Sequence, residues 1–246
     1  MSYAIVSLHT ANFQPLADYT WPNKVEYAER YGYCHCRKTD GFTLEHPSGE
    51  KIPFIKQYLL DNPDVEWAWW LDTDTLITNY TKRIEDYIDN NYHFIISVDV
   101  DPSDGLEPRT MFKNRPGNRN NKFFIDVPVN AGSFFVRNSV EGHAYLDWML
   151  SVYDEFAEKH GFFAEQEIIN ASYSWWDLKP TWNKLIKMCP IHEFNSFDCY
   201  LKTYKVDQLG QRVSWEPGDF VVHWPSVTND IRINHMVPLY TSKIIK

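Results

Sequence analysis

The chain has 246 residues, of which 43% are hydrophobic, and it contains 10 Trp, 15 Tyr and 15 Phe. This composition excludes a disordered or collagen-like protein, and the length is sufficient for one large domain with a full core. The formal net charge of −9 argues against a nucleic-acid binder, because such a protein carries a basic surface.

Apolar runs of strand length alternate with segments of helical periodicity along the chain. The predicted strands are residues 3–8, 31–38, 67–71, 94–98, 134–136 and 220–222. The predicted helices are residues 15–30, 53–60 and 140–159, and we assign Pro22 to the first position of a helix. Strands that are apolar on both faces and alternate with helices predict an α/β fold with a mostly parallel central sheet flanked by helices. We find no linker and therefore expect a single domain over residues 1–246.

Residues 101–122 carry Asn, Gly, Pro and several cations without an apolar period, and we interpret them as a long loop. The four cysteines are too few for a disulfide scaffold, and we expect free thiols in a reducing compartment. The N-terminus lacks a signal-peptide pattern, and the longest uninterrupted apolar run, residues 67–71, is too short to span a membrane. We therefore expect a cytoplasmic protein, or a form from which an N-terminal anchor has been removed.

The strongest candidate for chemistry is the pair of carboxylates in Asp72-Thr73-Asp74, directly after the predicted strand 67–71. On extended backbone, residues i and i+2 face the same side, so both carboxylates can bind one divalent cation. Such triplets also occur by chance, and Asp99-Val100-Asp101 is a second example. Ligands bind at the carboxyl ends of strands in α/β sheets, which supports the interpretation of the first triplet as a binding site.

Three further segments have both a functional and a structural interpretation. Residues 130–133 are small and allow a ligand to approach the main chain, but they also suit a plain turn before the strand 134–136. Residues 165–167 place two acids around Gln166, which is also typical of the start of a helix. His223 directly follows the predicted strand 220–222. It could be a metal ligand, a hydrogen-bond donor to a phosphate, or a structural histidine.

Together these segments resemble the family of retaining glycosyltransferases that includes fungal α-galactosyltransferases, fungal α-1,6-mannosyltransferases and plant xyloglucan xylosyltransferases. The matching stretches, in the order of the family, are residues 51–56, 69–74, 76–79, 130–138, 165–166 and 220–223. The resemblance implies a GT-A (Rossmann-like) fold, a UDP- or GDP-sugar donor, a glycan or glycoprotein acceptor, and Mn²⁺ or Mg²⁺ as cofactor. It assigns metal and diphosphate binding to Asp72 and Asp74, a metal-ligand role to His223, and a place near the anomeric carbon to Gln166.

The remaining assignments complete a donor site. We expect Ser7, Thr10 and Asn12, at the end of the first predicted strand, to meet the base and ribose of the nucleotide. Lys51 would assist electrostatically as negative charge develops on the departing diphosphate. Asn130 and Gly132 are assigned to donor binding by their place in the small-residue segment. These roles predict a metal-dependent retaining transfer.

For the catalytic step we predict retention by a same-face route, with Gln166 beneath the anomeric carbon. Glu165 and Glu167, which flank Gln166, are the alternative, because a carboxylate can form a covalent glycosyl intermediate.

Two features depart from the family. Members commonly carry a basic residue shortly after the histidine, whereas Trp224 to Thr228 follow His223 here, so Arg232 or the cations of 101–122 are candidates to contact the diphosphate. Members are usually anchored Golgi proteins, and a viral or bacterial cytoplasmic enzyme would suit this chain.

Two other functions remain open from the sequence. A nucleotidyltransferase also uses paired aspartates, but it usually has a basic glycine-rich loop that residues 8–14 lack. A non-catalytic sugar-binding protein would be indicated by loss of the metal residues, which are all present.

Overall fold

The computed structural model describes residues 2–100, 128–174, 178–198 and 205–246, so the loop predicted at residues 101–122 lies outside the described residues. The strands are β1 Tyr3–Leu8, β2 Cys34–Lys38, β3 Trp67–Leu71, β4 Thr75–Ile77, β5 Phe94–Val98, β6 Val129–Arg137, β7 Ile186–Cys189, β8 Ser196–Phe197 and β9 Val221–His223. The helices are α1 Gln14–Tyr31, α2 Lys51–Asp61, α3 Val140–His160, α4 Ala164–Ser174, α5 Lys179–Trp182, α6 Ile191–Phe194, α7 Asn229–Ile231 and α8 Val237–Thr241. A π-helical segment, Arg232–Met236, joins α7 to α8, and a 3₁₀ turn, Ala11–Phe13, precedes α1.

The central sheet has the strand order β2-β1-β3-β6-β5-β7 in the described part of the chain. The pairs β1–β2, β1–β3 and β5–β7 are parallel, and β6 runs antiparallel to both of its neighbours. The expected α/β architecture with a mostly parallel central sheet flanked by helices is confirmed.

Aromatic pairs set the register between β3 and β6. Trp69 lies opposite Phe135 and stacks on it with ring centroids 5.3 Å apart, and Trp70 stacks on Phe134 at 6.1 Å. Because successive side chains of a strand point to opposite faces, these pairs lie on the two sides of the sheet. Trp70 packs in the core beneath α2, α3 and α4, whereas Trp69 packs in the core that includes Tyr27 of α1.

The structure corrects two predicted boundaries near the N-terminus. Helix α1 begins at Gln14 with Pro15 in its first turn, and it continues through Pro22, so the assignment of Pro22 to a helix start is wrong. The first turn tolerates proline best because its amide groups have no intrahelical partner, and Pro15 takes that place. Helix α1 continues to Tyr31, and Gly32 ends it with a left-handed φ of 69°. The predicted strand start at residue 31 is therefore wrong, and β2 begins at Cys34.

A small second sheet with the order β4-β9-β8 lies beside the carboxyl ends of the central strands. Strand β3 leads through the turn Asp72–Thr75 directly into β4, which pairs antiparallel with β9. Register places Thr75 opposite His223, so the end of β9 meets the start of β4. The turn therefore joins the two sheets and carries the paired aspartates.

No helix in the described ranges has both the length and the apolar character needed to cross a membrane.

Candidate active site

Asp72 and Asp74 lie on a tight turn. The Thr75 amide donates a hydrogen bond to the Asp72 carbonyl at 3.2 Å, and the Thr75 hydroxyl donates to the same oxygen at 2.7 Å. The expectation of extended backbone through the triplet is therefore wrong, because the chain reverses here to enter β4. The turn nevertheless brings one carboxylate oxygen of each aspartate and a ring nitrogen of His223 within 4.8 Å of one another.

Two polar side chains of helix α1 donate hydrogen bonds to carbonyl groups of the turn. The Thr20 hydroxyl donates to the Thr73 carbonyl at 2.7 Å, and the Lys24 ammonium donates to the Thr75 carbonyl at 2.7 Å. Burial lowers the pKa of Lys24 to about 7, although the nearby carboxylates of the turn favour its charged form. Neither residue is among those that the sequence predicts for the site. Thr20 and Lys24 are spaced i,i+4 on the helix face that also buries Leu16, and such polar residues on an apolar face are a usable signal.

The end of β1 supports the same turn from the other side. The Ser7 hydroxyl is buried and donates to the Leu71 carbonyl at 2.6 Å, while the Thr73 hydroxyl donates to the Leu8 carbonyl at 2.5 Å. Ser7 therefore lies beside the end of β3, and its hydroxyl proton is already committed to the protein.

Thr10 and Asn12 follow β1 closer to the surface. Thr10 is half-buried and its carbonyl accepts from the Phe13 amide at 2.9 Å, which starts the 3₁₀ turn. Asn12 is exposed, and its carbonyl accepts from the side-chain amide of Asn229 at 3.1 Å. Both residues lie at the carboxyl end of a central parallel strand, where the sequence predicts the nucleotide.

Asp74 is buried between two basic side chains. Its Oδ1 lies 3.4 Å from His223 Nε2, and its Oδ2 accepts a short hydrogen bond from Arg232 Nη2. Burial alone would raise the pKa of Asp74, but His223 and Arg232 outweigh burial and hold it below its ordinary value. Asp74 is therefore an ionised carboxylate at neutral pH. Arg232 was considered from sequence as a diphosphate contact, and the structure places it on this carboxylate.

Gly132 brings the imidazole of His223 against the main chain of β6. A Cβ at position 132 would lie within 3.0 Å of three imidazole atoms, so only glycine leaves room for the ring. The Gly132 carbonyl also accepts from the Asp72 amide at 2.8 Å. Of the two interpretations of residues 130–133, the plain turn before a strand starting at 134 is wrong, because β6 already begins at Val129.

Lys51, at the start of α2, contacts every member of a second cluster, which contains Asp72, Glu165 and the Ala131 carbonyl. Its ammonium lies 3.3 Å from Asp72 Oδ1 and 3.1 Å from Glu165 Oε1, and it donates to the Ala131 carbonyl at 3.1 Å. Burial opposes its charge, but the two carboxylates outweigh burial and raise the pKa of Lys51 above its ordinary value. Asp72 Oδ1 also accepts from Trp70 Nε1 at 2.7 Å. The cluster ties the first aspartate to helix α4.

Gln166 contacts β6 from helix α4, whereas Asn130 belongs to β6 itself. Gln166 lies in the first turn of α4, and its Oε1 accepts from the Ala131 amide at 3.2 Å. Asn130 Oδ1 accepts from the Gly132 amide at 3.1 Å and from Asn195 Nδ2 at 2.9 Å. The structure thus brings Lys51, Glu165 and Gln166 to the stretch of β6 that contains Asn130 and Gly132, next to the turn with both aspartates.

The group Asp72, Asp74 and His223 suits a divalent cation. Two carboxylates and an imidazole are ligands that Mn²⁺ and similar ions accept. His223 Nδ1 is buried without a hydrogen-bond partner in the described structure, and an unpartnered ring nitrogen is costly unless it is used. The three residues therefore could hold a metal ion, and a cation held there would stabilise negative charge at the carboxyl edge of the sheet.

Known proteins share this sequence pattern. The galactosyl transferase GMA12/MNN10 family matches residues 6–226. A Schizosaccharomyces pombe protein named as an uncharacterized α-1,2-galactosyltransferase is 30% identical over 227 residues, which is 82% of this chain and 54% of that protein. Saccharomyces cerevisiae MNN10, named as a probable α-1,6-mannosyltransferase, is 27% identical over 187 residues, 71% of this chain and 46% of that protein. The chain thus spans about half the length of these curated relatives.

Solved structures share the fold. A glycosyltransferase involved in glycosylation of the major capsid of PBCV-1 has a TM-score of 0.65 at 18% identity, covering 96% of this chain and 98% of that one. The galactosyltransferase LgtC, solved with donor and acceptor sugar analogs, has a TM-score of 0.60 at 12% identity, covering 97% and 94%. These neighbours have the GT-A fold, which confirms the fold expected from the sequence. By its match to the family over residues 6–226, the chain belongs to the galactosyl transferase GMA12/MNN10 family.

Proposed function

We propose that residues 1–246 form one catalytic domain. This domain transfers a hexose or pentose from a UDP- or GDP-sugar to a hydroxyl of a glycan or glycoprotein. The transfer retains the anomeric configuration and uses Mn²⁺ or Mg²⁺. The observation that carries the proposal is the convergence of Asp72, Asp74 and His223 within 4.8 Å at the carboxyl edge of the parallel strands. Family membership favours glycosyl transfer over the nucleotidyltransferase and the non-catalytic sugar-binding protein.

Metal binding fits the chemistry of the donor set. Asp72, Asp74 and His223 would hold the ion, and a bound divalent cation would neutralise the negative charge that develops on the departing diphosphate. His223 and Arg232 together keep the pKa of Asp74 below its ordinary value, and Gly132 leaves the space that the His223 ring needs. The chain itself therefore keeps the Asp74 carboxylate ionised and the His223 ring in position.

Nucleotide binding is proposed at the end of β1. Thr10 and Asn12 lie there near the surface, and Ser7 lies behind them, bonded to the end of β3. In this arrangement the base and ribose would rest on the turn after β1, and the diphosphate would point toward the aspartates. Asn130 and Gly132 lie in β6, where the Gly132 carbonyl accepts from the Asp72 amide, and they would contact the donor on the side of the aspartates.

Lys51 and Gln166 are proposed to act on the sugar side of the donor. Lys51 lies between Asp72 and Glu165 and adds positive charge near the breaking bond. Gln166 is held by the Ala131 amide, and the dipole of its amide would stabilise the positive charge that develops on the anomeric carbon.

Retention follows from a same-face route. The bond from the anomeric carbon to the phosphate oxygen breaks, a bond to the acceptor oxygen forms on the same face, and the acceptor proton passes to the departing phosphate. Glu165 is the alternative nucleophile, but one of its oxygens is engaged by Lys51 in a buried ion pair. We therefore give Glu165 the role of holding Lys51.

A donor screen tests the proposal. Thermal unfolding of the purified chain would be followed with UDP- and GDP-sugars, with and without Mn²⁺, because a ligand of the folded state raises the unfolding temperature. We expect one donor to stabilise the chain only with Mn²⁺, and Asp74→Asn to abolish that response. Asp99→Asn, outside the candidate site, is the control and should respond like the wild type.

Product analysis by NMR then tests the stereochemistry. An α-linkage from an α-linked donor supports retention, and a β-linkage rules it out. A sugar trapped on Glu165 would keep retention and replace the same-face route with a double displacement.

A further inference from the structure

Arg232 is a buried arginine whose donors are committed to neighbouring residues. It is 5% exposed, and Nη2 donates to Asp74 Oδ2 and to the Trp224 carbonyl at 2.7 Å. Its Nε donates to the same carbonyl at 3.1 Å, and Nη1 donates to Asn229 Oδ1 at 3.0 Å. A guanidinium has five N–H groups in a rigid planar fork, so bonds to three partners fix its orientation.

The bond to Arg232 divides the carboxylate of Asp74 between two neighbours. Oδ2 faces Arg232, and Oδ1 lies 3.4 Å from His223 Nε2. Without Arg232, rotation of the carboxylate would turn either oxygen toward His223. Among the described residues, Asp74 forms ion pairs with His223 and Arg232 alone, so no other cation there would replace the guanidinium on Oδ2. The fixed guanidinium therefore selects one orientation of Asp74.

Arg232 also connects this carboxylate to the turn after β1. Asn229, which accepts from Arg232, donates to the Asn12 carbonyl at 3.1 Å, and the guanidinium carbon lies 5.8 Å from the centre of the Phe13 ring. A continuous set of contacts thus runs from the turn proposed to bind the nucleotide to the carboxylate proposed to bind the metal.

We propose that Arg232 is a positioning residue for Asp74: it holds Oδ2 so that Oδ1 stays turned toward His223, and Asn229 braces it against the Asn12 turn. This inference rests on the proposed function, because it assigns metal binding to Asp74 and His223. The opposite role would be a cation that competes with the metal for Asp74. The two roles predict opposite signs, since loss of a positioning residue weakens metal binding and loss of a competitor strengthens it.

The expected size of the effect follows from the position of Arg232 beside a ligand. Removing a partner that orients a metal ligand typically lowers metal affinity about 10- to 100-fold. Arg232→Gln should fall in that range, and Arg232→Lys should lose less, because lysine keeps the charge but has no planar fork. Asn229→Ala removes one brace and leaves the ion pair intact, so its loss of affinity should be the smallest of the three.

The test is direct titration of Mn²⁺ in the absence of nucleotide, with free Mn²⁺ counted by electron paramagnetic resonance, on the wild type and these three variants. Arg212→Gln is the matched control. Arg212 also forms an ion pair with a buried carboxylate, that of Asp219, but it does not contact the candidate metal group. Urea unfolding of each variant separates loss of stability from loss of metal affinity.

The proposal predicts that Mn²⁺ affinity falls least in Asn229→Ala, more in Arg232→Lys and most in Arg232→Gln. The Mn²⁺ affinity of Arg212→Gln should equal that of the wild type. If Arg232→Gln does not fold, the order of the other two variants carries the test. Unchanged or tighter binding in Arg232→Lys overturns the positioning role and leaves the proposed function standing. A wild-type chain that does not bind Mn²⁺, or that binds it as well after Asp74→Asn, overturns the metal site itself and this inference with it.

Discussion

Asp72 and Asp74 are two residues apart in sequence but lie in different electrostatic surroundings. Asp72 has a side chain 30% exposed and contacts Lys51 and Trp70, both on the side of the central sheet that faces α2 and α4. Asp74 has a side chain 12% exposed and lies between His223 of the small sheet and Arg232 of the C-terminal helical segment. The turn therefore divides the candidate site into an Asp72 half, with Lys51 and Trp70, and an Asp74 half, with His223 and Arg232.

In the proposed function, each half therefore serves a different part of the reaction. The Asp72 half includes Glu165 and leads to Gln166, so it is proposed to act on the sugar. The Asp74 half leads through Arg232 and Asn229 to the turn after β1, so it is proposed to act on the metal and the nucleotide. Substitutions that affect one half and spare the other can test the division.

The largest effect is expected from Gly132→Ala, which breaks the Asp74 half. The new methyl group would occupy the place of the His223 ring and push the imidazole away from Asp74. Because a ligand itself is displaced, we expect Mn²⁺ affinity to fall by at least about 100-fold, the upper end of the range for outer partners, with a parallel loss of activity. Titration of Mn²⁺ and a donor-turnover assay measure both.

The control for that substitution is Gly142→Ala in α3. A Cβ there would clash with the Arg137 carbonyl, so it also disturbs packing, but far from the candidate ligands. It should lower the free energy of unfolding and leave Mn²⁺ affinity unchanged. Equal Mn²⁺ affinity in Gly132→Ala and the wild type would remove His223 from the metal site.

An intermediate effect is expected from Lys51→Met, which breaks the Asp72 half. The ammonium is buried between Asp72 and Glu165, and removing it leaves two carboxylates together without a counter-charge. Breaking a buried ion pair from one side costs about 3–5 kcal/mol of stability. Urea unfolding measures it. Adding Glu165→Gln to Lys51→Met should recover part of the loss, because it removes one of the two unpaired charges.

Lys56 gives the matched control within α2. It forms a more exposed ion pair with Asp147, and such pairs contribute about 0–1 kcal/mol. Lys56→Met should therefore be nearly neutral. A similar cost for Lys51→Met and Lys56→Met would show that the Asp72 half is not held by a buried network.

Much of this arrangement could be predicted from the sequence, because the signals are local. The strands β3 and β5 match the predicted residues 67–71 and 94–98, since runs that are apolar on both faces identify buried central strands. The grouping of Asp72, Asp74 and His223 was expected from the resemblance and from strand ends meeting at one edge of the sheet.

The rest depends on contacts between distant parts of the chain. Arg232 is 158 residues from Asp74, and nothing local indicates that these two charges pair. The start of β6 at Val129 was missed because small and polar residues 130–133 look like a turn, whereas pairing with β3 and β5 makes them strand. Pro22 was misassigned because tertiary packing of α1 tolerates a proline that local preference would place at a helix start.

The smallest effect is expected from Lys24→Met, which probes the support that both halves share. Burial lowers the pKa of Lys24 from 10.5 to about 7 in the folded chain, despite the nearby carboxylates. Below pH 7 the lysine is charged in the folded and unfolded states alike, so the cost of burying the charge is fully present. Between pH 7 and 10.5 the folded chain releases this proton first, and stability due to Lys24 rises with pH.

The methionine variant lacks this titration, so the difference in unfolding free energy, wild type minus Lys24→Met, should rise by about 2 kcal/mol between pH 7 and 9. Urea unfolding at several pH values in the presence of a chelator measures this difference without contribution from metal binding. Lys159→Met, which removes an exposed lysine of α3, should give a curve parallel to the wild type. If the unfolding free energies of Lys24→Met and the wild type ran parallel with pH as well, Lys24 would stay charged next to the turn. A charged Lys24 would partly neutralise both aspartates, and the two halves would then depend on one another.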